Sequence, residues 1–246
     1  MSKFAVILAA AGSSSRFKDP FYKKPFANLG GRAVWLHSAE RFLGRSDSIQ
    51  LIVVIAAEDR EEFHRRFGAN IAVLGVDVCE GGTERADSVQ CGLEKLKDEV
   101  EFVAVHDAAR PCLADAWIDR VFEAAAKYGA AILASPVTAT LKRVDKQHVI
   151  TDTTSREGLW EGQTPQVFRR KLLEDAYARR AGFAATDDAQ LIERAGGKVH
   201  VVSGSPLNIK ITTKDDLKLA EQILKVLPKP KLDVMRHPFG DDDLWR

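Results

Sequence analysis

Apolar runs alternate with segments of helical periodicity through the first half of this chain of 246 residues. Strands are predicted at five runs that are apolar on both faces: residues 4–8, 50–56, 71–74, 102–105 and 131–134. Helices are predicted between them, at residues 33–43, 58–67, 84–96 and 115–128. Strands of this kind, separated by helices, are typical of a parallel sheet covered on both faces. The pattern predicts an α/β, Rossmann-like fold: a mainly parallel twisted sheet flanked by helices, which binds ligands at the carboxyl ends of its strands.

The pattern changes after Pro136, where two β-branched stretches at residues 137–144 and 148–154 are joined by polar Asp-Lys-Gln. Such a pair indicates an antiparallel hairpin. A two-stranded ribbon is only marginally stable alone, so we expect this arm to pack on another surface, such as a second subunit.

The remainder of the chain continues the mixed pattern without an obvious linker. Helices are predicted at residues 171–180, 187–195 and 213–226, and strands at 198–202 and 208–211. The last helix begins with the capping-box sequence Thr-Lys-Asp-Asp, and Pro228 and Pro230 end regular structure after it. The sequence therefore predicts a single domain over residues 1–227, with the arm at about 137–160 embedded in it, and a tail at 228–246.

Composition limits the classes of partner. A formal net charge of +1 and a sequence pI near 7.7 provide no global attraction to nucleic acid or to an anionic membrane, so we expect neither as a partner. The three cysteines lack the C-x-x-C spacing, and no apolar run is long enough to cross a bilayer. We expect a cytoplasmic protein.

A small polar loop follows the first predicted strand. Gly12 and three serines precede Arg16, and the lysine pair Lys23 and Lys24 comes soon after. Backbone N–H groups in a Gly/Ser loop, together with fixed positive charges, form a cradle for phosphate. The same residues also fit an ordinary surface loop, so this stretch alone leaves both interpretations open.

The sequence His-Asp-Ala-Ala-Arg-Pro directly follows the predicted strand 102–105. Asp107 would then lie at the carboxyl end of a central parallel strand, where it could hold Mg²⁺ together with substrate phosphates. The alternatives are a helix N-cap or a partner for Arg110. His106 has no evident partner in the sequence, so a structural and a functional role are equally open.

Further polar residues lie beside glycines, prolines or predicted strand ends. Gly81 and Gly82 allow a flat ligand to approach the backbone, and Ser88 could hydrogen-bond a base or ribose, although an ordinary turn fits as well. Cations and hydroxyls that would suit a phosphate-bearing substrate, but are solvated or capping side chains when taken singly, are Arg156, Thr164, Thr186 and Lys210. A dinucleotide-dependent oxidoreductase is disfavoured because no G-x-G-x-x-G is present.

Together these stretches resemble one known family. In order, they read A-A-A-G-S-S-S-R-F with a following K-P, G-G-T-E-R-A-D-S-V, H-D-A-A-R-P, L-K-R, R-E-G-L-W, T-P-Q-V-F, T-D-D-A and N-I-K-I-T. This arrangement, over residues 9–224, is similar to the methylerythritol phosphate cytidylyltransferases of the non-mevalonate isoprenoid route. The resemblance implies Mg²⁺-dependent transfer of a cytidylyl group from CTP to methylerythritol phosphate, with release of pyrophosphate.

The resemblance also implies roles for individual residues. The catalytic positions matched are Arg16, Lys24 and Lys210, and the metal ligand matched is Asp107. The nucleotide-binding positions matched are Ala10, Ala11, Gly12, Gly82 and Ser88. The substrate-binding positions matched are Arg110, Thr140, Arg156, Thr164 and Thr186, several of which reach across from a partner subunit. The segment before Lys24 is one residue longer than in relatives, so Lys23 is a rival for the same role.

The family is a homodimer whose projecting β-arm corresponds to about residues 137–160. Two other functions remain open from the sequence. One is a cytidylyltransferase for a different polyol phosphate, such as ribitol phosphate, and the other is a non-catalytic nucleotide-binding protein of the same fold.

Overall fold

The computed structural model describes residues 2–12 and 24–229, with Lys24 described by its backbone alone. Its strands, numbered along the chain, are β1 Phe4–Ala9, β2 Asn28–Leu29, β3 Arg32–Ala33, β4 Ser48–Ile55, β5 Asp77–Glu80, β6 Phe102–Asp107, β7 Ala130–Pro136, β8 Leu141–Val144, β9 Ile150–Thr154, β10 Trp160–Arg169 and β11 His200–Ser203. Its helices are α1 Val34–Leu43, α2 Arg60–Leu74, α3 Arg85–Leu93, α4 Asp115–Tyr128, α5 Arg170–Ala178, α6 Asp188–Arg194 and α7 Lys214–Val226.

Seven strands form the central sheet in the order β11-β7-β10-β6-β1-β4-β5. Strand pairing is parallel except along β10, which runs antiparallel to both β6 and β7. The predicted mainly parallel α/β sheet is therefore confirmed. β1 and β6 are neighbours in register, with Ala9 opposite Asp107, so the loop after β1 starts beside that carboxylate.

Helices cover both faces of the sheet, and alternate residues of β1 enter separate cores. Val6 and Leu8 pack into the core that contains Trp35 of α1 and Phe63 of α2, whose ring centroids lie 5.2 Å apart. Ile7 points to the opposite face, among residues of α3, α5 and α6. Because successive side chains of a strand point to opposite faces, an all-apolar strand buried on both sides is the expected result.

Two local predictions agree closely with the structure. α4 spans the predicted residues 115–128, and its C-cap Gly129 has a φ of 86°. α7 begins after Thr213, whose hydroxyl accepts a hydrogen bond from the Asp216 N–H at 3.2 Å, while the Asp216 carboxylate accepts from the Thr213 N–H at 2.8 Å. The predicted capping box is confirmed.

The strand predicted at residues 71–74 is wrong. This Ile-Ala-Val-Leu run forms the last turn of α2, where Ile71 and Leu74 pack against the core beneath the helix. Gly75, with a φ of 62°, ends the helix, and the strand begins two residues later, at Asp77. A four-residue apolar run fits a strand and the buried stripe of a helix equally well, and here the helix prevails.

The strand predicted at residues 208–211 is also wrong. The segment is irregular, and its polar groups are bound by the loop after β6 and by β10. The Ile211 N–H donates to the Ala109 carbonyl at 2.8 Å, and the buried Asn208 amide donates to the Thr164 carbonyl at 2.9 Å. Its alternating pattern arises because Ile211 is buried beside α7, not because it pairs in a sheet.

β10 is a strand that the sequence analysis does not predict, and it contains Gly162 and Pro165, which are typical of loops. The structure accommodates both by shifting the register with β7 between Gly162 and Gln166. Beyond that shift, Gln166 to Phe168 pair with both β6 and β7. The insertion of β10 between β6 and β7 brings Thr164 beside Asp107.

β8 and β9, which lie between β7 and β10 in the sequence, form a separate two-stranded antiparallel sheet, as the hairpin pattern predicts. Most of its side chains are exposed, including the apolar Val144, Val149 and Ile150. We call residues 137–160 the arm. Within the described ranges, the helices are all too short or too polar to span a bilayer.

Candidate active site

Three cationic side chains surround the Asp107 carboxylate at the carboxyl end of β6. The Lys210 ammonium lies 2.7 Å from Oδ2, the Arg110 Nε lies 3.6 Å from the same oxygen, and the Arg85 Nε lies 3.4 Å from Oδ1. These residues come from three separate loops or helix starts, which meet at one edge of the sheet. We call Asp107 and these three cations the Asp107 cluster.

The cluster holds Asp107 as a carboxylate. Burial alone would raise the pKa of this group, but the positive charges of Arg85, Lys210 and Arg110 outweigh burial and lower its pKa well below the usual range. The Asp107 side chain is only 10% exposed, whereas that of Lys210 is 41% exposed. The ammonium of Lys210 can therefore meet an incoming anion while Asp107 stays largely covered.

His106 has a structural role, since both of its ring nitrogens are bound inside the protein. Nε2 donates to the Arg110 carbonyl at 3.1 Å, which leaves Nδ1 as an acceptor for the Thr164 hydroxyl at 2.9 Å. Thr164 Oγ1 in turn accepts the Asp107 N–H at 3.0 Å. Burial lowers the pKa of His106 to about 4, so the ring is neutral at pH 7.

Thr164 and Asn208 link β10 to the loop that carries Lys210. The Asn208 carboxamide donates to the Thr164 carbonyl at 2.9 Å, and the Arg110 guanidinium donates to the Asn208 carbonyl at 2.7 Å. Thr164 is 5% exposed and Asn208 is fully buried. The Thr164 hydroxyl, a predicted substrate contact, is used within the protein to support the backbone of Asp107.

The sequence did not reveal the role of Arg85. Its guanidinium lies between Asp107 and Asp188, with 2.8 Å from Nη2 to Asp188 Oδ2. Burial lowers the pKa of Arg85, but the carboxylates of Asp188 and Asp107 outweigh it and raise that pKa above the usual value. One signal was present: Arg85 is the first residue of α3, where the helix dipole disfavours a cation unless a carboxylate offsets it.

The glycines of the predicted nucleotide loop lie against the first turns of α3. A Cβ on Gly81 would come within 2.5 Å of the Ser88 hydroxyl oxygen, and one on Gly82 within 2.4 Å of the Asp87 Cβ. Ser88 is buried, and its hydroxyl donates to the Glu84 carbonyl at 3.1 Å. Side chains at both glycines are excluded by close packing.

The loop after β1 begins at the same edge of the sheet. The Ala10 N–H donates to the Val54 carbonyl of β4 at 2.8 Å, and Ala11 and Gly12 follow it toward solvent. Arg16 and Lys23 lie outside the described residues. Lys24 begins a short 3-10 turn, Lys24–Phe26.

Three predicted substrate contacts lie apart from the cluster. Thr140 and Arg156 are exposed residues of the arm, where the Arg156 guanidinium donates to the Thr138 carbonyl. Thr186 is exposed before α6, and its N–H donates to the Gln190 side chain at 2.9 Å. The N-cap of α6 is Asp187, not Thr186, since its carboxylate accepts the Gln190 N–H at 2.9 Å.

Asp107 is the predicted metal ligand. Across residues 2–12 and 24–229, no group of three or more His, Cys, Asp or Glu side chains is placed to enclose a metal ion. Mg²⁺ is commonly held by one or two carboxylates together with water and substrate phosphates. An ionised carboxylate beside cations that can attract phosphates fits that shared form of binding, in which phosphate oxygens supply the other ligands.

Comparisons with known proteins identify the family of the chain. The family profile of 2-C-methyl-D-erythritol 4-phosphate cytidylyltransferase matches residues 4–226. The chain is 40% identical over 231 residues to the enzyme of that name from Rhodopirellula baltica, covering 89% of this chain and 94% of the relative. It is 41% identical to the one from Endomicrobium trichonymphae, covering 91% and 99% of the two chains.

A solved structure shares the fold. The crystal structure of 2-C-methyl-D-erythritol 4-phosphate cytidylyltransferase from Thermus thermophilus matches with a TM-score of 0.74 and 32% identity, covering 92% of this chain and all of that one. Identity near 40% over most of both chains, together with this likeness, establishes the relationship. The chain belongs to the 2-C-methyl-D-erythritol 4-phosphate cytidylyltransferase family.

Proposed function

We propose that the protein transfers the cytidylyl group of CTP to 2-C-methyl-D-erythritol 4-phosphate and releases pyrophosphate. One observation supports this most strongly, namely the clustering of Arg85, Arg110 and Lys210 around Asp107 at the carboxyl end of β6. An anionic triphosphate and an anionic phosphate nucleophile both require positive charge at this edge. Membership of a cytidylyltransferase family supports the choice of nucleotide and acceptor.

The proposed chemistry needs no general base. The nucleophile is a phosphate monoester whose second pKa is about 6, so it is already largely a dianion near pH 7. His106 is neutral, buried and bound through both nitrogens, which suits a structural residue and not a proton acceptor. The protein has instead to align the two phosphates for in-line attack and to compensate the charge that develops on the α-phosphate.

Named residues take these tasks in the proposal. Arg16, Lys24 and Lys210 stabilise the developing charge, with Lys23 as the rival of Lys24. Asp107 would hold Mg²⁺, which when bound neutralises phosphate charge and polarises the reacting phosphoryl group. The nucleotide is held by the two loops that follow β1 and β5, through Ala10, Ala11, Gly12, Gly82 and Ser88.

The acceptor is bound by residues from the cluster and from the arm. Arg110 lies within the Asp107 cluster and can meet the acceptor phosphate, while Thr164 supports the site through His106 and the Asp107 backbone. The exposed arm residues Thr140 and Arg156, together with the exposed Thr186, bind the acceptor once the arm of a partner subunit covers the site.

We propose that the chain forms a single domain over residues 1–227, followed by the tail 228–246. We also propose that two such chains form a homodimer through the arm. Val149 and Ile150 are each 59% exposed on a ribbon with little packing of its own, and a partner surface would bury them. Cys79, Cys91 and Cys112 are all free thiols, which suits a reducing cytoplasm.

Sedimentation tests the dimer. The paired change Val149→Asn and Ile150→Asn should convert a wild-type dimer to monomer at micromolar concentration, because it removes apolar area from the proposed interface. The matched control is Val226→Asn on α7, where the valine is 73% exposed, and it should remain dimeric. A wild-type monomer, or an arm variant that stays dimeric, would contradict the proposal.

Pyrophosphate release tests the reaction. Wild-type protein with CTP and Mg²⁺ should release pyrophosphate rapidly with 2-C-methyl-D-erythritol 4-phosphate and slowly with ribitol 5-phosphate. A clear preference for ribitol phosphate would overturn the proposed acceptor. If CTP binds but pyrophosphate is released with neither of the two acceptors, the protein is a non-catalytic nucleotide-binding protein.

A further inference from the structure

A buried chain of charges extends from the Asp107 cluster into the protein. Arg85 contacts Asp107 Oδ1 through Nε at 3.4 Å and Asp188 Oδ2 through Nη2 at 2.8 Å. The Asp188 side chain is fully buried, whereas that of Arg85 is 25% exposed. One guanidinium thus connects a carboxylate of the site with a carboxylate of the interior.

Asp188 is held by neighbours on two other elements. The Tyr177 hydroxyl of α5 donates to Asp188 Oδ1 at 2.6 Å, and the Gln166 side chain of β10 accepts the Asp188 N–H at 3.0 Å. Tyr177 is 5% exposed and Gln166 is 1% exposed. Asp188 is therefore fixed in position independently of any ligand.

We propose that Arg85 is a positioning residue for Asp107 and that Asp188 and Tyr177 hold Arg85 in place. The inference rests on the proposed function, since Asp107 is taken to bind Mg²⁺ with the nucleotide. Arg85 contacts Oδ1 of Asp107, while Lys210 contacts Oδ2. The contact with Oδ1 restricts rotation of the carboxylate, so Asp107 would keep one orientation when it holds Mg²⁺.

Asp188 also sets how strongly Arg85 holds Asp107. Two carboxylates share one guanidinium, so each attracts it less than a single partner would. If Asp188 lost its charge, Arg85 would pair with Asp107 alone and would compete more strongly with a metal ion. If Tyr177 lost its hydroxyl, Asp188 would keep its charge but lose one constraint on its orientation.

The experiment measures metal binding directly. Mn²⁺ is titrated into the full-length protein with CTP, and binding is followed by water proton relaxation. Arg85→Lys and Asp188→Asn should each weaken Mn²⁺ binding roughly tenfold, as loss of a partner behind a metal ligand commonly does. Tyr177→Phe should weaken it about threefold, because one hydrogen bond to a charged group is lost.

Matched variants control for general damage. Arg60→Lys changes another arginine at the start of a helix, paired with Glu80 at 2.6 Å but exposed. Tyr128→Phe removes the hydroxyl of a half-exposed tyrosine that stacks on His200. Both controls should bind Mn²⁺ as the wild type does.

A steady-state measurement separates positioning from stability. If Arg85 positions Asp107, the kcat lost by Arg85→Lys at low Mg²⁺ should return as Mg²⁺ is raised, whereas a merely destabilised protein is not rescued by metal. Lowered melting temperatures with unchanged Mn²⁺ affinity in all three variants would overturn the inference. Tight Mn²⁺ binding by the wild-type protein without pyrophosphate release would overturn the proposed function alone. If the protein binds no Mn²⁺ in the presence of CTP, both the proposed function and this inference are overturned.

Discussion

The Asp107 cluster and the arm use charged side chains in opposite ways. In the cluster, the cations are tied to carboxylates and carbonyls that lie within the chain, and Asp107 is only 10% exposed. On the arm, Arg156 and Lys142 are exposed, and among residues 2–12 and 24–229 they reach only the Thr138 carbonyl and the Thr153 hydroxyl of the same ribbon. The cluster is preorganised by the chain itself, whereas the arm leaves its side chains exposed, as the proposed dimer interface would require.

This difference separates two ways of completing a site. Preorganised charges stabilise a transition state without having to reorient during the reaction. Exposed side chains on a thin ribbon acquire a fixed geometry only when another surface orders them. Changes in the cluster should therefore act within one chain, and changes in the arm should act across the proposed dimer.

The largest expected effect is that of Lys210→Ala. Lys210 is the most exposed of the cluster cations and contacts Asp107 at 2.7 Å, so its loss removes a preorganised charge from the reacting phosphates. We expect kcat/KM in the pyrophosphate release assay to fall roughly a hundred- to a thousandfold.

The control for Lys210 is Lys218→Ala on α7. Lys218 pairs with Asp215 at 3.2 Å, and both side chains are strongly exposed, so this change should leave kcat/KM near the wild-type value. A loss of less than threefold in Lys210→Ala would show that the cluster does not act on the reaction.

Arg156→Ala should have the next largest effect. If Arg156 donates to the acceptor phosphate as proposed, loss of that charge-assisted hydrogen bond should lower kcat/KM roughly thirtyfold. The sharper test is a heterodimer purified with two tags, one chain carrying Arg156→Ala and the other Lys210→Ala. If Arg156 serves the partner's site, one of the two sites is intact, and the heterodimer should show about half the wild-type activity.

The same heterodimer can contradict a role of Arg156 in the partner's site. If Arg156 acts in its own chain, each site of the heterodimer carries one defect, and activity should stay as low as in the parent variants. Such a result would remove the distinction between a site completed within the chain and one completed across the dimer.

The sequence predicted elements with a distinctive local pattern better than elements whose pattern fits more than one structure. β6 and Asp107 were identified because an apolar run followed by an acid is a strong local pattern. The run at 71–74 was assigned wrongly because four apolar residues fit both a strand and a helix stripe. β10 was not predicted because Gly162 and Pro165 are typical of loops, and the sequence does not show that a register shift within β10 accommodates them.

The support behind the site was not predictable for a similar reason. Arg85 and Asp188 are separated by about a hundred residues, and Thr164 meets His106 only because β10 lies beside β6. Local patterns identify residues that follow a strand or begin a helix. They contain no information about which distant side chain pairs with which, and that pairing decides whether a hydroxyl faces a ligand or the interior.

The last expected effect concerns acid stability, and it arises at His106, next to the cluster. The pKa of His106 is lowered by burial from 6.5 to about 4, so the unfolded chain binds a proton more readily than the folded one between these values. The stabilisation from neutral His106 is therefore fully present above about pH 6.5 and is lost as the pH falls toward 4.

The prediction compares urea unfolding at pH 7 and pH 5. When the pH is lowered from 7 to 5, His106 should account for a loss on the order of 2 kcal/mol in the free energy of unfolding. His106→Gln keeps one donor and one acceptor but does not titrate, so the loss should shrink by that amount. His148→Gln, at an exposed histidine of the arm, should show the wild-type loss. Equal losses in wild type and His106→Gln would mean that the cluster tolerates a charged His106, and that it is less rigidly preorganised than its contacts indicate.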